Sequence, residues 1–133
     1  MVEPSRLQVA NLSAAMDYET SVDDMKIALP WYEPDNPDLP HVALGSLVSN
    51  LAHERTANRV RYAGRVANVL RFIEEAPAST DVRVDNLIQV SFIENLHLLR
   101  DGCANVISRL GPRTTKLHAD YENEWGKVCP EVS

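Results

Sequence analysis

The feature that most constrains the fold of this chain is a dense run of apolar residues between Asp85 and Leu99. Apolar side chains recur there every three or four residues, which is the spacing of one helix face. Val90 and Ile93 extend the apolar surface to another side, as is typical of a helix that lies between neighbours. The pattern predicts a buried central helix over 81–99, with a main stripe of Val84, Leu87, Ile88, Phe92, Leu96 and Leu99.

Helical spacing of apolar residues also accounts for most of the remaining chain. Capping residues and prolines mark the ends of the segments. They predict helices over about 6–18, 22–28, 39–53, 56–76, 102–110 and 112–125, with Asp38 and Asp101 as N-caps of the third and the fifth. Alternating strand patterns are absent. The predicted fold is all-α, a single domain over 1–133 built as a bundle of about six helices, for which HEAT-like antiparallel helix pairs are one arrangement.

Two of these helices carry predictions about which residues face the core. In the 56–76 helix the predicted buried stripe consists of Ala63, Val66, Leu70 and Ile73, widened by Val60 and Val69. The opposite face is predicted to be solvated and includes Arg61, Arg65 and Arg71. In the last helix the residues predicted to point inward recur every four positions: Leu117, Tyr121 and Trp125.

Residues 30–40 form the clearest loop of the sequence. Four prolines and an Asn-Pro step disfavour regular structure there. The loop carries Trp31 and Tyr32, so we expect it to dock on the domain rather than to separate two domains. At the other end of the chain, Gly126 stops the last helix, and residues 127–133 are predicted to be a loose tail.

The net charge of −6 belongs entirely to the first part of the chain. Residues 1–53 contain eight acidic and two basic side chains, whereas residues 54–133 contain eleven of each. Because phosphate binding requires basic residues, nucleic acid is not expected as a partner. An acidic surface instead favours a basic protein, since opposite potentials steer encounter. The alternative is that the acidic residues only keep the protein soluble.

No motif in the sequence indicates catalysis, a metal site or a cofactor. The histidines have neither the zinc-protease spacing nor the clustering of a zinc site. The five glycines form no phosphate-binding loop, and no serine or cysteine occupies a nucleophile elbow. The prediction is a protein without enzymatic activity and without a cofactor.

Polar residues on the central helix leave two interpretations open. Asn86, Gln89, Ser91, Glu94 and Asn95 lie on a helix that is predicted to be largely buried. A buried polar group is costly unless it is hydrogen-bonded. These side chains therefore either tie down neighbouring turns and helix ends or form one wall of a binding groove. His97, on the same helix, is predicted to be a hydrogen-bonded core residue.

The cysteines and the chain's first residues bear on its location. The N-terminal residues lack the basic and apolar regions of a signal peptide, and no apolar run approaches the roughly 20 residues that span a bilayer. A cytoplasmic protein without membrane contact is expected. Cys103 and Cys129 form no CxxC pair and are predicted to be reduced thiols, with Cys103 in the core. A disulfide between them is the alternative.

Three segments resemble one bacterial family of small helical proteins. They are Leu39–Leu47, Val69–Glu75 and Asp85–Leu96, and the most specific is the Asn-Leu-Ile-x-Val-Ser-Phe-x-Glu-Asn-Leu run of the third. Members of that uncharacterised family occur beside polymorphic or contact-dependent toxins, as candidate immunity proteins. The resemblance covers about residues 38–125 and implies a helical fold without catalytic residues.

Taken with the resemblance, the acidic residues suggest where a partner would bind. An immunity protein would occlude the active site of a basic toxin, for which a nuclease is one candidate. Aromatic anchors among charged residues are typical of binding hot spots, so the predicted partner-binding residues are Asp23, Asp24, Trp31, Tyr32, Glu33, Asp35 and Asp38. The alternative is that both rings only dock the loop on the core.

Two further functions remain alternatives to the immunity protein. The first is a small helical adaptor or scaffold that acts through protein contacts. The second is an enzyme with an unusual site. The chain is expected to be a monomer or a weak homodimer.

Overall fold

The fold is known from a computed structural model, which describes residues 18–34, 39–75 and 82–130. These residues form helices and turns with no strand among them, so the all-α prediction is confirmed. The predicted helix over 6–18 and the predicted cap Asp38 lie outside the described residues, and the HEAT-like pairing stays a prediction. The helices are α1 (Ser21–Ala28), α2 (Pro40–Ala57), α3 (Arg59–Glu75), α4 (Val82–Leu87, continued by Ile88–Ile93 and Glu94–Gly102), α5 (Cys103–Ser108) and α6 (Pro112–Trp125).

Helix α4 is the centre of the fold, as the sequence predicts. Its whole predicted stripe is buried, from Val84 to Leu99. It packs against α2, α5 and α6, which enclose it from several sides. The prediction that a second apolar side of α4 is buried is only partly correct, because Ile93 is fully buried while Val90 is 40% exposed. The prediction of a core histidine is wrong, because His97 is exposed.

The helix geometry changes along α4. Ile88–Ile93 is a π-helix, and the Glu94 N–H donates to the Gln89 carbonyl, five residues earlier. The following Glu94–Gly102 segment is a 3₁₀-helix. A π-turn contains more residues than an α-turn, and a 3₁₀ turn contains fewer. The predicted stripe stays buried along the whole of α4 despite this change, and Val90 and His97 are exposed because helical spacing places both roughly opposite that stripe.

The end of α4 is a sharp change of direction at Arg100. Its φ of 56° and ψ of −123° are not helical, and this backbone region is strained for a residue with a side chain. The predicted N-cap Asp101 makes no capping hydrogen bond to α5. Its carboxylate instead pairs with the guanidinium of Arg55 on α2. The ion pair connects this turn to α2, and the capping prediction is wrong.

The predicted inward faces of α3 and α6 are correct only in part. On α3 the buried residues are Val66, Val69, Phe72 and Ile73, whereas Val60 is 86% exposed and Ala63 is also exposed. On α6, Leu117 and Tyr121 pack against the core, but Trp125 is 73% exposed. In both helices the apolar spacing continues beyond the part that neighbouring elements cover. Periodicity identifies a face but not how far along the helix that face is covered.

The N-terminus of α6 is held by Glu74, near the end of α3. One carboxylate oxygen accepts from the Thr114 N–H at 3.0 Å and from its hydroxyl at 2.7 Å. The other accepts from the Arg113 N–H at 3.0 Å. Burial by itself would raise the pKa of Glu74, but the hydrogen bonds from Thr114 and Arg113 outweigh it, and the pKa is lowered. A side chain of another helix therefore supplies the cap of α6.

We expect the substitution Glu74→Gln to lower the free energy of unfolding by about 1–2 kcal/mol at pH 7. The glutamine amide has one acceptor oxygen, whereas the donors of Arg113 and Thr114 bond to both carboxylate oxygens of Glu74. Because the folded-state pKa of Glu74 lies below its ordinary value, the stabilisation by the carboxylate is present above the unfolded-state pKa and is lost as the pH falls through the folded-state value. Urea unfolding at several pH values should therefore show the difference from wild type shrinking in acid. Glu75→Gln, one residue away and exposed, is the control and should change little.

The two cysteines are joined in a disulfide, contrary to the predicted reduced thiols. Cys103 at the start of α5 is bonded to Cys129 beyond α6, and their Cα atoms are 5.6 Å apart. Cys103 is fully buried and belongs to the core, as predicted. The prediction of a loose tail is wrong for its described part, because Val128 is also buried. The sequence reasoning relied on compartment and motif, whereas tertiary packing brings the two sulfur atoms together.

Candidate functional site

The segment predicted to bind a partner is only partly described. Asp23 and Asp24 lie in the first turn of α1, where carboxylates favour the helix dipole. Asp23 is exposed, and Asp24 is half-buried and accepts a hydrogen bond from the Thr20 hydroxyl at 2.9 Å. Glu33 is exposed. Asp35 and Asp38 lie outside the described residues.

Tyr32 is a core residue rather than an exposed anchor. Its side chain is only 5% exposed, and its hydroxyl donates to the Ala43 carbonyl of α2 at 2.9 Å. A buried tyrosine normally satisfies its hydroxyl in this way. For Tyr32, the geometry matches the alternative interpretation, in which the ring docks the loop on the core.

Trp31 lies at the surface in a fixed position. The Arg65 guanidinium is 4.5 Å from the centre of the indole ring, a cation–π arrangement. Arg65 also donates to the Glu54 carboxylate at 2.9 Å, and Arg61 lies 3.5 Å from the same oxygen. Arg65 is therefore engaged in a packed cluster, and its assignment to a solvated face is wrong.

The Trp31 ring is partly exposed, yet its nitrogen is not. The indole Nε1 is buried, and in the described part of the chain it has no hydrogen-bond partner. The cluster of Trp31, Arg65 and Glu54 thus holds the ring in place against α2 and α3. Such a ring can present a rigid aromatic edge to another protein at low entropic cost.

Sequence reasoning missed a contact between His41 and Ser91. The His41 Nδ1 lies 2.8 Å from the Ser91 hydroxyl, although the two residues are 50 positions apart. His41 lines a shallow groove of about 420 Å³ beside Tyr18, Leu39 and Val42. Ser91 is only 3% exposed and does not line the groove. Its hydroxyl can orient the imidazole, but it is not placed as a nucleophile for a substrate in the groove.

The other polar residues of α4 mostly tie structural elements together. The Gln89 amide donates to the Leu117 carbonyl of α6 at 3.0 Å, and the Asn95 amide donates to the Ser91 carbonyl at 2.8 Å. Glu94 accepts a hydrogen bond from the Tyr121 hydroxyl at 3.0 Å. These contacts match the first interpretation of the polar residues, in which they secure turns and neighbouring helices. Asn86 is exposed and forms no wall of the groove beside His41.

The described residues thus form an all-α fold, with the Trp31 cluster and the groove beside His41 at its surface. Among them, no three histidine, cysteine or acidic side chains are grouped as a metal site would require. No described helix combines the length and the apolar character needed to cross a membrane. Comparisons of the chain with family models, curated proteins and solved structures found no match. The resemblance to toxin-associated helical proteins therefore stays a prediction.

Proposed function

We propose that this chain is an immunity protein, which binds a cognate bacterial toxin and occludes its active site. The observation that carries the proposal is the arrangement around Trp31: exposed Asp23 and Glu33 precede and follow it in the chain, and Arg65 holds its ring in place. A rigid aromatic group with exposed carboxylates suits a basic partner surface. The resemblance given by Leu39–Leu47, Val69–Glu75 and Asp85–Leu96 supports the narrower choice of a toxin.

The proposed mode of action needs no catalytic group. The carboxylates would accelerate encounter with a basic toxin, and the aromatic edge would bury against it. Because Trp31 is already packed against Arg65, little side-chain freedom would be lost on binding. The toxin would be inhibited by steric exclusion of its substrate.

The proposed place of this encounter is the cytoplasm. The disulfide between Cys103 and Cys129 argues against it, because such bonds persist mainly in oxidising compartments. An immunity protein that acts outside the cytoplasm would meet the toxin before it enters the cell. The thiol measurement described in the Discussion distinguishes the two locations.

The test is co-expression with the product of the adjacent upstream reading frame. We expect cells to survive only when this chain is present, and the two proteins to co-purify. The double variant Asp23→Lys/Glu33→Lys should slow association at least about tenfold at low salt and weaken protection. Glu75→Lys changes one exposed carboxylate on α3 in the same sense and serves as the control. A harmless neighbour, or a lethal one that does not bind this chain, would contradict the proposal.

A second candidate function is a small adaptor, and the exposure of Trp125 favours it. A tryptophan that is 73% exposed on a helix offers the large aromatic contact area that protein interfaces favour. An adaptor would bind its partner without any toxin, and a homodimer is one form that it would take. Light scattering after size exclusion separates a homodimer from a monomer.

A further inference from the structure

The last described residues, 126–130, follow α6 and are attached to α5 by the disulfide. We call residues 126–130 the C-terminal segment. Cys129 of this segment is bonded to Cys103 at the start of α5. The Val128 side chain is buried, and the Val128 N–H donates to the Glu122 carboxylate at 3.0 Å. One covalent bond, one small apolar side chain and one hydrogen bond to α6 thus hold the segment in place.

Gly126 forms a hinge between α6 and the C-terminal segment. Its φ of 100° and ψ of −177° lie in a region that residues with a side chain rarely adopt. No neighbouring atom lies within 4 Å of the position that a Cβ would occupy there. The backbone angle, and not the available space, is therefore what favours glycine. A change of this angle would move the segment away from α5 without moving α6.

Contacts other than the disulfide fix the position of α6. Glu74 caps its N-terminus through hydrogen bonds to the first turn. From α4, Gln89 donates to the Leu117 carbonyl, and Glu94 accepts from the Tyr121 hydroxyl. Breaking the disulfide would leave each of these contacts in place. Loss of the bond is therefore expected to free the C-terminal segment while α6 stays packed, which is a local opening rather than global unfolding.

The two sulfur atoms differ in their access to a reductant. Cys103 is fully buried, whereas Cys129 is partly exposed. In thiol–disulfide exchange a thiolate attacks one sulfur atom of the bond and expels the other. The exposed sulfur of Cys129 is therefore the one that a reductant can attack, and Cys103 is the leaving group.

We propose that the bond between Cys103 and Cys129 is a redox switch, which a dithiol reductant opens to release the C-terminal segment from α5 while the helices stay folded. In the first step a thiolate of the dithiol bonds to the Cys129 sulfur, and Cys103 leaves as a thiolate that takes up a proton. In the second step the other thiolate of the reductant attacks this mixed disulfide, and Cys129 leaves as a thiolate that takes up a proton. The dithiol gives up two electrons and two protons and becomes a cyclic disulfide. The switch goes beyond the immunity function, because it requires no toxin.

The carboxyl group of Glu122 provides a second measure of the state of the switch. Its pKa is lowered mainly by the hydrogen bond from the Val128 N–H, with His118 and Lys127 acting in the same direction and burial opposing them. Release of the C-terminal segment removes the Val128 donor and Lys127 from the carboxylate. The pKa of Glu122 should then rise toward its ordinary value, which an NMR titration of the oxidised and the reduced protein measures.

The main test is hydrogen exchange of the full chain, oxidised beforehand with oxidised glutathione, with and without dithiothreitol. In the reduced protein we expect the amides of residues 127–129 to exchange at least about tenfold faster, while Ile88–Ile93 stays protected at short labelling times. In the reduced, folded protein Cys129 should react with iodoacetamide at least about tenfold faster than Cys103. The double variant Cys103→Ser/Cys129→Ser is the control. It should exchange like the reduced wild type, and dithiothreitol should not affect it.

The substitution Gly126→Ala tests the hinge. An alanine strains the disulfide-bonded form, whereas the released segment can adopt another backbone angle. In glutathione buffers the equilibrium between disulfide and thiols should therefore shift toward the thiols by on the order of tenfold. Gly64→Ala is the matched control, because a Cβ at this exposed position of α3 also meets nothing within 4 Å, and it should leave the equilibrium unchanged.

Four results would overturn this proposal. Loss of protection along α4 after reduction would mean that the bond holds the whole fold rather than one segment. Unchanged exchange of residues 127–129 would mean that the segment stays in place without the bond. Faster alkylation of Cys103 than of Cys129 would contradict the difference in access, and a Gly126→Ala equilibrium equal to that of wild type would contradict the hinge. None of these measurements involves a toxin, so failure here and failure of the immunity function are distinguishable.

Discussion

Replacing Cys129 with serine is expected to lower the free energy of unfolding by about 3.5 kcal/mol. The bond between Cys103 and Cys129 joins residues 26 positions apart, and a crosslink over a loop of this size removes about that much chain entropy from the unfolded state. For a domain of this length the melting temperature should fall by roughly 10 °C. The measurement is denaturant unfolding of the wild type and of the variant under non-reducing conditions.

Reduction of the wild type is the matched control for this prediction. Wild type in reductant should unfold like Cys129→Ser, and the reductant should not affect the variant. Alkylation of the unfolded protein without reductant, followed by mass spectrometry, counts the free thiols directly. Two alkylated thiols in protein purified from its native cells would agree with the expectation from sequence and contradict the disulfide. No alkylation would support the bond and argue for an oxidising compartment.

The substitution Leu96→Ala is expected to lower the free energy of unfolding by about 2–5 kcal/mol, which is the second large effect. Leu96 is fully buried in the centre of α4, and removing its side chain loses apolar burial and leaves a cavity. Leu98→Ala, two residues later on the same helix, is the matched control because Leu98 is 38% exposed. It should cost less than about 1 kcal/mol.

The pair of leucine variants tests the placement of α4 in the fold. Both variants change the same residue type in the same 3₁₀ segment, so helix propensity affects them equally. The difference between them in urea unfolding therefore reports burial alone. Equal costs for the two variants would mean that α4 does not present the face described above.

The two tryptophans show where sequence reasoning was insufficient. Trp125 follows Leu117 and Tyr121 at helical spacing, so periodicity placed it in the core, yet it is exposed. Trp31 lies in a proline-rich acidic loop, which suggested an exposed anchor; its ring is partly exposed, and Arg65 of α3 packs on it, a contact that the loop sequence does not indicate. Neither outcome is encoded locally, because both depend on what another helix brings to that position.

The residues of the candidate site show the same difference between local features and contacts supplied by distant parts of the chain. Asp23 and Glu33 could be predicted as exposed carboxylates, because acidic residues in a first turn and in a loop are usually solvated. The contact between His41 and Ser91 could not be predicted, because it joins residues 50 positions apart. Nothing near either residue in the chain indicates the other.

The sequence by itself determined the helical class, the buried stripe of α4 and most helix boundaries. These properties arise from residues a few positions apart, whose spacing and capping act within one helix. Only the tertiary structure decided the bond between Cys103 and Cys129, the capping of α6 by Glu74 and the exposure of Trp125. These depend on the packing of α3, α4 and α6 against each other, which places together groups that are far apart in the chain and sets where the cover of each helix ends.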